Sequence, residues 1–256
     1  MAVRPACGCG YEAGERLTDG LTAGYEGAAV IRNLDVIVAP GEVVALLGAN
    51  GAGKTTTLRA VSGLVKPMGG RVLLEGRDLA RSSPSARARM GIAHVPEGRG
   101  LFYGLTVADH FRLGYPGERL DAELAYEYFP KLADLRSRRA GLLSGGEQQM
   151  LAVARALARH PTLMLLDELS LGLAPVIVEW LLPVVRRFAQ DRGCAVLLVE
   201  QHVHLALEVA DRGYVLSHGE IVLHNHAEQL RADRQLLAAS YLGEKVQAAA
   251  AAEPAG

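Results

Sequence analysis

One segment of this 256-residue chain restricts its fold more than any other. Residues 48–55, GANGAGKT, have the spacing G-x-x-x-x-G-K-[ST]. They lie between an apolar run, Val43 to Leu47, and a stretch typical of a helix, Thr55 to Val65. A strand that leads through a glycine loop into a helix turns free backbone N–H groups toward one point, where the helix dipole adds positive charge. The pattern therefore predicts a phosphate-binding loop.

Each part of this loop has a predicted task. The glycines adopt backbone angles that other residues avoid, and they place no Cβ in the path of the phosphate oxygens. Lys54 is expected to reach the terminal phosphates, and the Thr55 hydroxyl is expected to bind Mg²⁺. A chance glycine-rich turn is the alternative, and the flanking strand and helix argue against it. The predicted nucleotide-binding residues here are Gly48, Ala49, Asn50, Gly51, Ala52, Gly53, Lys54, Thr55 and Thr56.

Composition and charge argue against several classes of protein. The net charge of −1 and the pI of about 6.7 are not those of a protein that binds nucleic-acid backbones, for which a basic stripe is typical. No apolar run approaches the roughly 20 residues that a membrane-spanning helix needs. The first residues contain no apolar core of a secretory signal. Three cysteines without a disulfide framework indicate a reducing cytoplasm.

Beyond the loop, strands and helices alternate along the chain. Continuous apolar runs at Leu163 to Leu166 and Ala195 to Val199 predict strands that are buried on both faces. Helical patterns, Ser144 to His160 and Pro175 to about Gln190, precede them. A hairpin is predicted at Tyr214 to Leu223, turning at His218-Gly219. This alternation predicts an α/β fold with a mainly parallel sheet flanked by helices, a P-loop NTPase core.

The remaining segments predict additions to that core. Two strands that lead into the phosphate loop are expected between Val30 and Gly48, and the expected fold also includes an antiparallel β region. Helical spacing from Tyr103 to Leu142 indicates an inserted α-helical subdomain. We therefore expect a flexible leader at residues 1–16, one domain at 17–246 with its helical insert at about 100–150, and a disordered alanine-rich tail at 247–256.

Two carboxylates follow the second apolar strand. Asp167 and Glu168 come directly after Leu163 to Leu166, and ligands in parallel α/β sheets bind at the carboxyl ends of strands. Asp167 is therefore a candidate Mg²⁺ ligand. Glu168 is the candidate general base for an attacking water. Two solvated acids after a strand are the alternative, which the neighbouring phosphate loop disfavours.

A second possible phosphate-binding element is the sequence LSGGEQQ, residues 143–149. Ser144 and Glu147 have the spacing of a capping box at a helix start. Glycine weakens the first turn of a helix, so Gly145 and Gly146 indicate that something approaches the backbone closely there. A capped helix with no ligand is the simpler interpretation.

LSGGEQQ resembles the signature of ATP-binding cassette (ABC) proteins, and the phosphate loop and Asp167-Glu168 complete the motifs of that family over residues 17 to 243. The resemblance implies that two cassettes pair head to tail, so that ATP on one phosphate loop meets the signature of the other. Signature residues predicted to bind the partner's ATP are Leu143, Ser144, Gly145, Gly146, Glu147 and Gln148.

The resemblance also assigns roles to single positions. Tyr25 matches the aromatic residue that stacks on adenine, and a surface tyrosine is the alternative. Glu97 stands where the family usually has a Mg²⁺-sensing Gln, so the resemblance makes it a third candidate Mg²⁺ ligand beside Thr55 and Asp167. Gln201 stands at the usual position of the switch His, while His202 is one residue later, so either residue is a candidate for the catalytic switch.

Departures from the family pattern indicate a subgroup. PEGR at residues 96–99, SLGLAP at 170–175, VEQ at 199–201 and SYLG at 240–243 resemble the LivF-type ATPases of branched-chain amino-acid importers. Ala174 replaces the family's usual Asp. Leu169 departs even from the subgroup, in which Pro is expected.

The resemblance implies an ATP-hydrolysing subunit at the cytoplasmic face of the inner membrane. It is expected to use ATP and Mg²⁺ and to pair with a second ABC ATPase beneath two permease subunits. An external binding protein would deliver Leu, Ile or Val to these permeases. No nucleic-acid partner is expected.

Three alternatives remain open from the sequence. The same type of ATPase subunit can power transport of another cargo, such as urea, short amides or other amino acids. Soluble cassettes that act on DNA carry long coiled coils, and those that act on ribosomes carry two phosphate loops, neither of which is found here. A catalytically idle cassette is disfavoured because Lys54, Asp167 and Glu168 are present.

Overall fold

Three short strands without internal charges form the centre of the protein, whose computed structural model describes residues 16–232. They are β3 (Val43–Leu47), β7 (Leu163–Asp167) and β8 (Ala195–Val199), and every residue in them is buried. β3 and β7 each pair with β8 in parallel. Continuous apolar sequence suits strands that are covered on both faces, as predicted.

These strands belong to a six-stranded sheet with the order β10-β9-β3-β8-β7-β6. Its other members are β6 (Ile92–Val95), β9 (Arg212–Ser217) and β10 (Glu220–His226). All neighbours are parallel except β9 and β10, which form the predicted hairpin. His218 and Gly219 have φ angles of 49° and 83°, so the hairpin turns where the sequence predicted it.

A four-stranded antiparallel sheet packs beside the first, with the order β2-β1-β4-β5. Its strands are β1 (Arg16–Tyr25), β2 (Ala28–Ile37), β4 (Pro67–Leu74) and β5 (Arg77–Asp78). The sequence analysis missed β1. Its pairing with β2 contains register shifts that interrupt the alternation of buried and exposed residues from which a strand is recognised.

Helix α1 (Lys54–Ser62) follows the phosphate loop and packs against strands of both sheets. Leu58 and Val61 of this helix are completely buried. The predicted end at Val65 was wrong by three residues. Gly63 adopts φ 82° and donates its N–H to the Ala60 carbonyl, which ends the helix.

The opposite face of the parallel sheet is covered by α6 (Gly145–Leu157), α7 (Pro175–Arg192) and α8 (Val203–Val209). Both long helices lie within three residues of their predicted bounds. The short helix α9 (Ala227–Ala232) packs against α8, β9 and β10, whereas α2 (Pro84–Arg89) packs against α1 and β6.

The inserted helical region is less regular than predicted. Residues 103–142 form α3 (Val107–His110), α4 (Ala122–Tyr128), α5 (Lys131–Asp134) and a 3₁₀ turn at Ala140–Leu142. Pro116, Gly117 and Pro130 interrupt the helical pattern. The expected tail and the SYLG segment lie outside the described residues, as does all but the last residue of the leader, since β1 begins at Arg16.

Candidate functional site

The phosphate loop connects β3 to α1, as predicted. Packing within the chain requires glycine at two positions of the loop. Gly48 and Gly53 have φ angles of 151° and 110°. A Cβ on Gly48 would lie 2.3 Å from the Leu216 carbonyl oxygen, and one on Gly53 would lie 2.5 Å from Cγ2 of Ile31. The neighbouring strands therefore exclude side chains at both positions, in addition to any requirement from a phosphate.

Lys54 begins α1 and is 4% exposed. Its Nζ donates hydrogen bonds to the carbonyl oxygens of Gly48, at 2.9 Å, and Ala49, at 3.1 Å. Burial lowers the pKa of Lys54, against the attraction of the Glu168 and Asp167 carboxylates. The loop thus folds around an ammonium group that is held at the start of the helix, where terminal phosphates are predicted to lie.

Asp167 ends β7 and is 2% exposed. The hydroxyl of Thr55 donates to Asp167 Oδ1 at 3.1 Å, so the fold brings two of the three predicted metal ligands into contact. Burial raises the pKa of Asp167 to about 6, and repulsion from Glu168 and Glu97 adds to the shift. Hydroxyl and carboxylate oxygens are the donors that Mg²⁺ prefers, so this donor set suits the ion.

Glu168 takes a left-handed backbone with φ 49°, and its N–H donates to the Val199 carbonyl at 2.9 Å. Its neighbour Leu169 is completely buried. A proline at position 169 would disfavour helical backbone angles at the residue before it. Leucine at this position therefore suits the conformation that Glu168 adopts here.

A pocket of about 490 Å³ lies over the phosphate loop. The predicted site residues that it brings together come from five different parts of the chain. It is lined by Tyr25, Val30, Asn50, Gly51, Gly53, Lys54, Thr55, Thr56, Glu97, Glu168, Leu171 and Gln201. Gly48, Ala49, Ala52, Asp167, His202 and the signature segment are not among its lining residues.

Tyr25 lies at the end of β1 and at the edge of this pocket, 43% exposed. Its hydroxyl accepts a hydrogen bond from Arg59 at 3.4 Å. An aromatic ring that is partly exposed beside a phosphate loop is available for stacking on a base.

The two candidate switch residues occupy different places. Gln201 lines the pocket, and its Nε2 donates to Asn50 Oδ1 at 2.6 Å. His202 is exposed, and it precedes the first residue of α8. The fold thus directs Gln201, not His202, toward the phosphate loop.

Sequence reasoning assigned no role to Glu200, which is completely buried. One of its carboxylate oxygens accepts from the Ser170 N–H at 3.0 Å and the other from the Ser170 hydroxyl at 2.5 Å. Burial raises the pKa of Glu200, against these hydrogen bonds. The pair joins the segment after Glu168 to the segment before Gln201. The VEQ and SLGLAP motifs were the available signal, since each contains one partner.

The signature segment forms the start of α6 with the predicted capping box. The Ser144 N–H donates to Glu147 Oε2 at 2.9 Å, and the Glu147 N–H donates to Ser144 Oγ at 3.3 Å. Ser144 is exposed, whereas a Cβ on Gly146 would lie 3.1 Å from Cγ2 of Ile177. Packing within the chain therefore accounts for one of the two glycines.

Arg99 connects this helix to the segment that carries Glu97. It donates to Gln149 Oε1 from Nε at 3.0 Å and to Gln148 Oε1 from Nη1 at 2.6 Å. Only Gly98 separates the pocket side chain Glu97 from Arg99, and the sequence analysis did not predict the contact of Arg99 with α6.

Comparison with known proteins decides the family. The family described as ABC transporter matches residues 31–170. The chain belongs to the ABC transporter family. It is an ATPase of LivF type. Its domain binds ATP, and its hydrolysis of ATP is coupled to transmembrane transport.

Relatives of this ABC ATPase cover most of its length. It is 40% identical to the high-affinity branched-chain amino acid transport ATP-binding protein BraG of Pseudomonas aeruginosa, over 88% of the chain and 98% of BraG. It is 34% identical to a probable branched-chain amino acid transport ATP-binding protein LivF of Archaeoglobus fulgidus, over 82% of the chain and 91% of LivF. A solved structure of the ATP-binding subunit of an ABC transporter is 26% identical and has a TM-score of 0.74. The match covers 90% of this chain and 99% of that subunit.

Other relatives are named for a different cargo. LptB of Escherichia coli K12, from a lipopolysaccharide export system, is 33% identical over 88% of the chain and 95% of LptB. ABC cassettes dimerise and work with transmembrane permease subunits. Among the described residues of this cassette, no helix is both long and apolar enough to span a bilayer.

Proposed function

We propose that this ABC ATPase powers uptake of branched-chain amino acids through partner permeases. The observation that carries the proposal is the 40% identity to BraG, which extends over 98% of that protein. The PEGR, SLGLAP and VEQ segments support the same cargo, and in the fold they all contribute to the nucleotide pocket or to its walls.

The pocket geometry supports a division of tasks in hydrolysis. Lys54, which is itself buried, supplies positive charge at the terminal phosphates, where charge-assisted hydrogen bonds are strong. Tyr25 stacks on the base. Glu168 lies in the same pocket and takes the proton of the attacking water. Gln201 donates a hydrogen bond to the terminal phosphate from its position beside Asn50.

Thr55, Asp167 and Glu97 are the residues that would hold Mg²⁺. The ion would neutralise charge on the phosphate oxygens. Burial raises the pKa of Asp167 to about 6, so protonation of this carboxyl would oppose binding of the ion as pH falls below that value. The hydrogen bond from Thr55 keeps the carboxylate oriented toward the phosphate loop.

The exposed start of α6 supports a shared site. Ser144 presents its hydroxyl and a capped helix start to solvent, away from the cassette's own pocket. In the proposed assembly it contacts the ATP of a second cassette, which is identical or related. Two permeases, which receive the amino acid from an external binding protein, complete the transporter. This subunit lies at the cytoplasmic face of the membrane.

Glu168→Gln tests the enzymatic part. The amide cannot accept a proton, so we expect hydrolysis to fall by about 10² or more while ATP binding is retained and the ATP-bound dimer accumulates. The measurements are phosphate release and light scattering, with Glu179→Gln, on α7 outside the pocket, as the control. Native hydrolysis by Glu168→Gln would show that the base lies elsewhere.

The cargo is tested by uptake in cells. A strain that lacks this subunit is complemented with the native chain or with Glu168→Gln, and uptake of labelled leucine, isoleucine, valine and urea is measured. We expect only the native chain to restore uptake of the three amino acids. Restored uptake of urea alone would contradict the cargo but not the ATPase.

A further inference from the structure

Glu200 is a completely buried carboxylate that no step of the proposed hydrolysis uses. Within residues 16–232 it forms no salt bridge, and its hydrogen bonds come from Ser170, which is itself 5% exposed. A buried carboxylate without a cationic partner costs free energy. The fold therefore tolerates a destabilising group at this position, which indicates a task other than packing.

The contact between Glu200 and Ser170 continues the pairing of β7 with β8 beyond the sheet. Asp167 and Val199, the last residues of the two strands, are paired in register. The Glu168 N–H then donates to the Val199 carbonyl at 2.9 Å. One step further, the N–H and the hydroxyl of Ser170 bind the two carboxylate oxygens of Glu200. A side chain thus joins the two segments where both leave the sheet.

On one side of this contact lies the turn that carries Glu168. The φ angle of Glu168, 49°, is uncommon for a residue with a side chain and persists only where neighbouring contacts fix it. The Leu171 N–H donates to the Glu168 carbonyl at 3.2 Å, so Ser170 lies inside a turn of residues 168–171. Glu168 and Leu171 both line the nucleotide pocket. Holding Ser170 therefore holds the turn from which Glu168 reaches the pocket.

On the other side of the contact lies Gln201, the next residue after Glu200. Gln201 lines the pocket and donates from Nε2 to Asn50 Oδ1 of the phosphate loop at 2.6 Å. Because Glu200 is fixed by Ser170, the backbone that carries Gln201 is restrained as well. Neither Glu200 nor Ser170 lines the pocket itself.

We propose that Glu200 is a positioning residue that, by binding Ser170, holds Glu168 and Gln201 in one arrangement for ATP hydrolysis. This inference rests on the proposed roles of Glu168 and Gln201. Displacement of a catalytic group by about 1 Å can lower a rate by about 10². ATP itself touches neither member of the pair, so its affinity does not depend on their contact.

Three substitutions separate this role from packing. Ser170→Ala removes the hydroxyl, and Glu200→Met removes both acceptors while keeping an unbranched side chain of similar length. Glu200→Gln keeps one acceptor for the Ser170 N–H, and the Ser170 hydroxyl can rotate to accept from the new amide. The conservative variant can therefore preserve the connection that Glu200→Met breaks.

The first experiment measures phosphate release over a range of ATP concentrations and ATP binding by calorimetry, on the full 256-residue chain. We expect Ser170→Ala and Glu200→Met each to lower kcat about ten-fold or more, with unchanged KM and ATP affinity. The double variant should be no slower than the slower single variant, because both changes break one contact. Glu200→Gln should recover most of the rate.

Glu42→Gln is the matched control, since it changes another buried glutamate, one that does not line the nucleotide pocket. Urea unfolding is measured for all variants. The control should lose stability and keep the native kcat, which shows that a loss of stability alone does not slow hydrolysis. Native kcat in both Ser170→Ala and Glu200→Met would overturn the proposal.

The second experiment repeats Ser170→Ala and Glu200→Met in a chain that already carries Glu168→Gln. If the pair acts by positioning Glu168, neither change should slow the residual hydrolysis further. The same fold reduction as in the native background would overturn the proposal and leave Glu168 as the base. Native hydrolysis by Glu168→Gln alone would contradict the proposed base, and the inference would fall with it. Should Glu200→Met not fold, Ser170→Ala decides both experiments.

Discussion

Asp167 shows how one buried residue links stability to function. Its pKa is raised from 3.8 to about 6, so the folded chain holds a proton that the unfolded chain has already lost between these pH values. Stability therefore falls as pH rises from about 4 to about 6, and the penalty is complete above that range. The site tolerates this cost in order to hold a carboxylate beside Thr55.

We predict that Asp167→Asn stabilises the chain at pH 7 by up to about 3 kcal/mol, because two pKa units correspond to this energy. The gain should shrink as pH falls through 6 and vanish near 4. Mg²⁺-dependent ATP binding should be lost in the same variant. Urea unfolding at a series of pH values and calorimetry measure the two effects. A stability gain that is the same at pH 4 and pH 8 would contradict this account.

At the scale of elements, the start of α6 holds a capping box and is also the proposed contact with the partner's ATP. Two substitutions of Ser144 separate these roles. We predict that Ser144→Arg leaves ATP binding to the single subunit nearly intact and blocks ATP-driven dimerisation, because bulk and charge enter the shared site. The variant also loses the cap on the Glu147 N–H, which costs about 1 kcal/mol.

Ser144→Ala is the control, since it loses the same cap without added bulk. Binding is measured by calorimetry and dimerisation by light scattering. Equal loss of dimerisation in both variants would show that the capping box, and not access to the partner's ATP, explains the effect.

The segment between β8 and α8 carries the next prediction. Gln201 bonds to the phosphate loop and His202 does not line the pocket. We therefore expect Gln201→His to change the ATPase rate and its pH dependence, because an imidazole can carry charge near the phosphate. His202→Ala should change the rate less. If His202→Ala is as damaging as Glu168→Gln while Gln201→His has no effect, His202 is the switch residue.

At the scale of the whole molecule, one buried arginine contacts both sheets, because it pairs with Glu42 next to β3 and also bonds to β2. Arg212 of β9 donates to Glu42 Oε1 at 2.5 Å and to the Ile37 carbonyl of β2 at 2.8 Å. The side chains of Arg212 and Glu42 are only 6% and 10% exposed. Hydrogen bonds to Glu42 raise the pKa of Arg212 although burial opposes this, so the guanidinium stays charged.

Glu42→Gln should destabilise the chain by about 3 kcal/mol, because a buried charge loses its partner. Asp35→Asn breaks the exposed pair with Arg16 and should cost less than about 1 kcal/mol. Urea unfolding measures both. ATP affinity of the folded Glu42→Gln variant should be unchanged, since neither partner lines the nucleotide pocket. A loss of affinity without a loss of stability would show that the pair acts on the site.

The sequence by itself determined the local elements of this ABC ATPase. The phosphate loop, the position of Asp167 at a strand end and the capping box of α6 each depend on residues within one short segment. Their physics is local, since φ angles, helix dipoles and cap hydrogen bonds involve neighbours in the chain. The motifs also carried the family, because their order along the chain is itself sequence information.

Only the tertiary structure decided which distant segments meet. β8 lies between β3 and β7, and this order brings Glu200 to Ser170 and Gln201 to Asn50. The bonds of Arg99 to α6 likewise join parts of the chain about fifty residues apart. Such contacts depend on which strands pair and how helices cover them. No periodicity within a single segment encodes that choice, because the free energy of pairing belongs to both partners together.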